Sequence, residues 1–221
     1  YIVKEVSSPQ YYSVSDEEVT VYLEHEGQIV QIEFLNESVY TNVSIGKSGY
    51  TEVVPGQEIR YTFKDIGNNS TVPLDSFYWR DTLPTDAVRL DKIITGTYST
   101  RLNYKVVFQT NLSNTQRVLA DNLNTLQNYI LDASPAALGL ASNEYVTQVT
   151  FLFGRVPGGF RQVETPYIYC DVLSSLPHEY RFSNKCDVGG MWQNQWIQAT
   201  DRWVTIIYRG GPVPTLPRTG Y

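Results

Sequence analysis

Three residues in this chain could together form a covalent bond. Alternate side chains along a strand point to the same face. In SFYWRDTL the apolar Phe77, Trp79 and Leu83 share a face with Asp81; in NVSIGKSG, Val43 and Ile45 share one with Lys47; in YRFSNKCDV, Phe182 and Val188 share one with Asn184. An apolar face is a core face, so three strands each aim one polar residue inward. Buried apart, such groups are costly, and they are expected to meet one another or water. One reading is a buried salt bridge beside a hydrogen-bonded amide, or strand ends where parity fails. The other is chemical. Burial favours the neutral amine of a lysine and the neutral acid of an aspartate. Lys47 is then a nucleophile, Asp81 a proton shuttle and the Asn184 amide an acceptor, which would close an isopeptide bond and release ammonia.

No other constellation carries comparable chemistry. The only histidines are His25, in the acidic turn EHEG, and His178, in the loop LPHEY. They assemble neither a triad nor a metal cluster. Asp16 and Glu17 read as solvated charges beside a turn rather than a glycosidase pair. The expectation is therefore no catalytic residue, no metal, no cofactor and no enzyme beyond a single-turnover crosslink. A net charge of -6 offers nothing to a phosphate backbone, so nucleic acid is not an expected partner. Cys170 shares parity with Ile168 and Val172, and Cys186 with Asn184 and Val188. Both point inward, and a cross-strand disulfide and two buried thiols are equally good readings.

The elements that must position these residues are strands. Tyr, Thr and Val recur in short alternating runs broken by Gly, Pro and Asn, which predicts an all-β sandwich. Residues 1–40 read as three strands, YIVKEV, EEVTVYL and QIVQIEFLN, the last two joined at EHEG; that is half a sandwich. Residues 43–208 supply a second, complete run through EIRYTFKDI, DSFYWRDTL, DKIITGTY, LNYKVVF, VTQVTFLFG, PYIYCDVL, YRFSNKCDV and RWVTIIY. Leucines at 119, 123 and 126 with Ile130 fall at helical spacing. A short helix is expected at SPAALG, with Ser134 as N-cap and Pro135 at the first helical position. Residues 209–221 are Gly- and Pro-rich and read as an extended tail. No run of about 18 apolar residues is present, and the chain, starting at Tyr1, reads as a piece of a longer precursor.

These residues resemble known families. YIVKEVSSPQYYSVSDEEVTVYLEHEGQIVQIEFLNE resembles the C-terminal half of a collagen-adhesin B-type repeat, the prealbumin-like module of Gram-positive pilins. In that family a Y-x-V-x-E-x-x-x-P stretch supplies the promoting carboxyl and a late F-x-N the amide. The resemblance places Glu5 and Asn36 at the promoter and acceptor positions, and the family's lysine on a strand that would precede Tyr1. Residues 43–208 are similar to the A-type isopeptide domain of the same adhesins and the related conserved bacterial surface repeat, an Ig-like β-sandwich. The family order is a lysine in K-[ST]-G, then G-x-x-x-x-Y-T-F, an aspartate before Leu-Pro, and a late F-x-N. Here these are Lys47 in GKSG, GQEIRYTF from Gly56 to Phe63, Asp81 in RDTLP and Asn184 in FSNK. They are the three inward residues already found by parity.

Leu216, Pro217, Arg218, Thr219 and Gly220 match the L-P-x-T-G sorting signal read by sortase transpeptidases. That resemblance implies cleavage between Thr219 and Gly220 and transfer to the cell wall or to a pilin lysine. The expected function is a cell-wall-anchored surface protein, a pilin subunit or adhesin stalk, exposed outside the cell. Its partners would be sortase and either peptidoglycan or other pilin subunits. The alternative is an adhesin that binds a host glycan or matrix protein through Trp192, Trp196 and Trp203, whose exposure on one flat face would favour it.

Overall fold

The structure, a computed structural model, describes residues 1–9 and 11–209. Two sheets face each other, with strands numbered in chain order. The larger runs β10 (Ser113–Asn124), β9 (Asn103–Thr110), β12 (Val146–Val156), β6 (Leu74–Thr82), β15 (Arg181–Trp192), β16 (Gln195–Ile207), β4 (Glu52–Val53). The smaller runs β11 (Ile130–Asp132), β7 (Val88–Ile94), β14 (Tyr167–Val172), β5 (Glu58–Asn68), β3 (Val43–Ser48). Strand β16 pairs parallel with β4 alone; its pairing with β15 is antiparallel. Strands β8 (Thr97–Tyr98) and β13 (Gln162–Glu164) form a small flap, and β1 (Ile2–Lys4) pairs with β2 (Glu18–Thr20). This is the all-β sandwich that the alternation predicts, with the Ig-like arrangement that the resemblance implies.

The inward residues of both sheets make one aromatic core. Trp79 of β6 stacks on Phe151 of β12 at 3.9 Å and meets Phe63 of β5 at 4.8 Å. Its indole nitrogen donates to the Tyr98 hydroxyl at 2.9 Å, so the only polar atom of that ring is satisfied inside the core.

Three expectations need correction. QIVQIEFLN forms no strand: its alternation is real, but no neighbouring strand among the described residues offers a ladder to close its backbone groups. The leucines at helical spacing lie on β10 and just past it, with no helix. Register shifts between Val118 and Ala120 and between Ala120 and Leu123 break strict alternation, so bulges imitate a longer period. SPAALG closes as a helical turn rather than a helix. Ser134 does cap it, accepting from the Ala137 amide at 3.3 Å, and Gly139 then ends it with φ of 61°.

Candidate functional site

Lys47, Asp81 and Asn184 meet between the two sheets. Lys47 sits on β3, at the edge of the smaller sheet, opposite Phe63 of β5. Asp81 lies on β6, an interior strand of the larger sheet, opposite Cys186 of β15, which puts Asn184 of β15 on the diagonal. The Lys47 amine donates to Asp81 Oδ1 in a close contact, and both side chains are fully buried. Asn184 Nδ2 donates to the other carboxylate oxygen, Oδ2, at 3.2 Å. One carboxylate thus holds both nitrogens that a Lys–Asn amide exchange would involve.

The walls are aromatic. The Lys47 amine lies 4.2 Å from the Phe63 ring centre and 4.7 Å from that of Tyr61. Burial pushes the Asp81 carboxyl above its ordinary range, against the opposing pull of Lys47. A carboxyl biased toward its protonated form is suited to carrying a proton between two nitrogens. Two buried polar atoms nearby have no hydrogen-bond partner, Asn184 Oδ1 and the Tyr61 hydroxyl. Local backbone fixes this packing: a Cβ at Gly49 would stand 3.1 Å from Tyr61 Cδ1 and 3.2 Å from Trp203 Cδ1. Any side chain there would press both rings aside by a few tenths of an ångström. On the far side the Lys47 amide donates to Asp201 Oδ2 of β16 at 2.7 Å, tying the two sheets together at this corner.

The cysteines flank the site as free, buried thiols. Cys170 is on β14 of the smaller sheet and Cys186 on β15 of the larger, so they occupy opposite layers and are not cross-strand neighbours. Burial raises both thiols, Cys186 to about 12.

Glu5 and Asn36 also come together, although 31 residues separate them. Asn36 Nδ2 donates to Glu5 Oε1 at 2.8 Å and the Ser15 amide to Glu5 Oε2 at 2.7 Å. Asn36 Oδ1 is buried and unpaired. The neighbouring lysine, Lys4, is turned away to Glu18 at 3.5 Å.

The tryptophans do not form a platform. Trp192 packs on the core and Trp203 donates from its indole nitrogen to the Tyr50 carbonyl at 3.0 Å. Trp196 alone is open, 54% exposed, with its edge toward Tyr78 at 6.2 Å. His178 is an exposed loop residue that accepts from the Arg209 amide. The sorting motif, Leu216 to Gly220, lies outside the described residues. Sequence reasoning missed Tyr61; its signal was available, since it alternates with Ile59 and Phe63 on β5.

No family model matches the chain, and no curated protein matches it. Among solved structures it is similar to ACE19, the collagen-binding subdomain of the Enterococcus faecalis surface protein ACE, at 11% identity and TM-score 0.31, covering 77% of this chain and 98% of that one. It is similar to AvmM, which catalyses macrocyclisation in alchivemycin A biosynthesis, at 10% identity and TM-score 0.31, covering 89% and 99%. A third is AggA, the major subunit of aggregative adherence fimbriae type I from Escherichia coli, at 7% identity and TM-score 0.30, covering 80% and 99%. The neighbours thus include a surface adhesin subdomain and a fimbrial subunit beside a biosynthetic enzyme.

Proposed function

We propose that this chain is a bacterial surface protein, a pilin subunit or adhesin stalk, whose sandwich closes an isopeptide bond between Lys47 and Asn184. The observation that carries this reading is the single buried carboxylate of Asp81, bonded through one oxygen to the Lys47 amine and through the other to the Asn184 amide. Asp81 takes a proton from Nζ, leaving a neutral amine. Nζ attacks Cγ of Asn184, and the proton passes through Asp81 to Nδ2. The Cγ–Nδ2 bond breaks, ammonia leaves, and Nζ gives its second proton to Asp81, so that a neutral amide remains. The reaction occurs once per molecule, so no turnover of a substrate is proposed.

The bond would close a loop from residue 47 to residue 184. In the chain-entropy model such closure stabilises by about 5 kcal/mol. Export, recognition by sortase and attachment to peptidoglycan or to another subunit rest on the sequence of the tail, LPRTG.

The test is the intact mass of the purified chain, with and without reductant, followed by peptide mapping. The expected result is a deficit of one ammonia carried by a branched peptide joining Lys47 to Asn184, unchanged by reductant. An unmodified mass overturns the crosslink and leaves the tail as the basis for surface anchoring.

A further inference from the structure

We infer that the Tyr61 hydroxyl is the hydrogen-bond donor to the oxygen of Asn184 when the isopeptide bond forms. The inference rests on the crosslinking reading above and adds to it a residue and a role. Attack on Cγ turns the amide carbonyl into a tetrahedral centre whose oxygen carries negative charge. Asp81 cannot serve that oxygen, because its two oxygens are engaged with the nitrogens. Another donor is required, and water is excluded: Lys47, Asp81, Asn184 and Tyr61 are all buried under Phe63 and Trp79.

Two orphaned atoms answer the need. Asn184 Oδ1 is a buried acceptor with no donor, and the Tyr61 hydroxyl is a buried donor with no acceptor. The Lys47 amine stands 4.7 Å from the Tyr61 ring centre and shares the Asp81 carboxylate with the Asn184 amide, so ring and amide line one enclosure. The Thr205 hydroxyl spends its own proton on the Tyr50 carbonyl at 2.8 Å, so it has none to give to the oxyanion. Burial, with Cys170 and Asp81 adding to it, pushes the phenol far above its ordinary value. Tyr61 therefore keeps its proton across the working pH range.

An interaction absent from the starting amide and available to the tetrahedral state lowers the barrier itself. An unpaired buried hydroxyl contributes nothing to folding, and its removal in an otherwise isosteric change is nearly neutral or stabilising. Rate and stability are thereby separable.

The experiment follows intact mass against time in chain made by cell-free synthesis and quenched at intervals, comparing the natural sequence with Y61F. The proposal expects Y61F to crosslink about 100-fold more slowly, the scale of losing one oxyanion donor. In the uncrosslinkable K47M background, adding Y61F is expected to leave the thermal midpoint unchanged or higher. If the natural chain loses ammonia and Y61F does so at the same rate, the Tyr61 role is overturned and the crosslink stands. If K47M/Y61F is markedly less stable than K47M, Tyr61 is a packing residue and the role is again overturned. If the natural chain never loses ammonia, the crosslinking reading fails first and this inference with it.

Discussion

The molecule contains the same local arrangement twice, once complete and once not. In the sandwich a carboxylate accepts from an asparagine amide, the amide oxygen is buried without a donor, and a lysine occupies the carboxylate's other oxygen. In residues 1–40 Glu5 accepts from Asn36, the Asn36 oxygen is likewise buried without a donor, and a backbone amide stands where the lysine would be. The surroundings differ in the same sense. The first site lies under a continuous aromatic core. Among the described residues of 1–40, Val21 is the only buried apolar side chain, while Ile29 and Leu35 are 93% and 88% exposed. A carboxylate–amide pair can thus form locally; what would make it reactive is an amine and a dry enclosure, and the two packed sheets supply both to the first pair alone.

The largest expected difference between the regions comes from the two carboxylates. Asp81→Ala is expected to abolish the ammonia deficit of the proposed crosslink and to leave Lys47 as a buried amine without its partner. Breaking such a pair costs about 3–5 kcal/mol, beyond the loss of about 5 kcal/mol from loop closure. Urea unfolding followed by mass analysis reads both effects, and an Asp81→Ala chain that still crosslinks would show that the carboxylate carries no proton.

A smaller effect is expected from alkali. Burial holds Cys186 and Tyr104 near 12, and Cys170, Tyr98 and Tyr61 are likewise pushed up by burial. Above pH 9, the ordinary value of a thiol, the unfolded chain releases protons that the folded chain keeps. Folded-state pKa values lie above the unfolded ones, so this stability is complete below pH 9 and falls as pH rises toward 12. The ultraviolet signal of phenolate from the buried tyrosines is expected to appear together with unfolding, not before it.

The smallest effect is expected in the first 40 residues. Asn36→Ala should leave the ammonia deficit at one and change the midpoint of the sandwich by less than about 0.5 kcal/mol, as for changes outside a packed core. A second ammonia lost in the natural chain and absent from Asn36→Ala would mean that the incomplete pair finds an amine after all.

The strands that carry the site were legible because their alternation is regular. On β6, strict alternation carries Phe77, Trp79 and Asp81 to one side, and β3 and β15 do the same for Lys47 and Asn184. Alternation alone does not make a strand, as QIVQIEFLN shows, because pairing supplies the ladder. Nor did spacing place the tryptophans. Trp192 and Trp196 are an even number apart, yet a two-residue turn at Gln193 and Asn194, both with positive φ, reverses the chain between them. Trp192 faces Gln195 across the hairpin and the core beneath it, and Trp196 falls on the outer face. The bulges of β10 hid that strand for a related reason: parity holds only between register shifts.

The position of Asn184 within its strand has a mechanical meaning. It lies near the start of β15, the penultimate strand of the larger sheet, with the whole of β16 still to come. A staple from Lys47 to Asn184 would bypass everything between them when the molecule is pulled from its ends, but not the hairpin from residue 185 to residue 207. Residues 47–184 would then behave as an inextensible cord, with residues 1–46 extensible before it and the 185–207 hairpin as a short elastic section after it. That section could pay out roughly 80 Å at about 3.4 Å per residue and re-form by zipping against β6. Such a section would act as a shock absorber placed on the C-terminal side of the staple, toward the end where the sorting sequence would fasten the protein to its anchor.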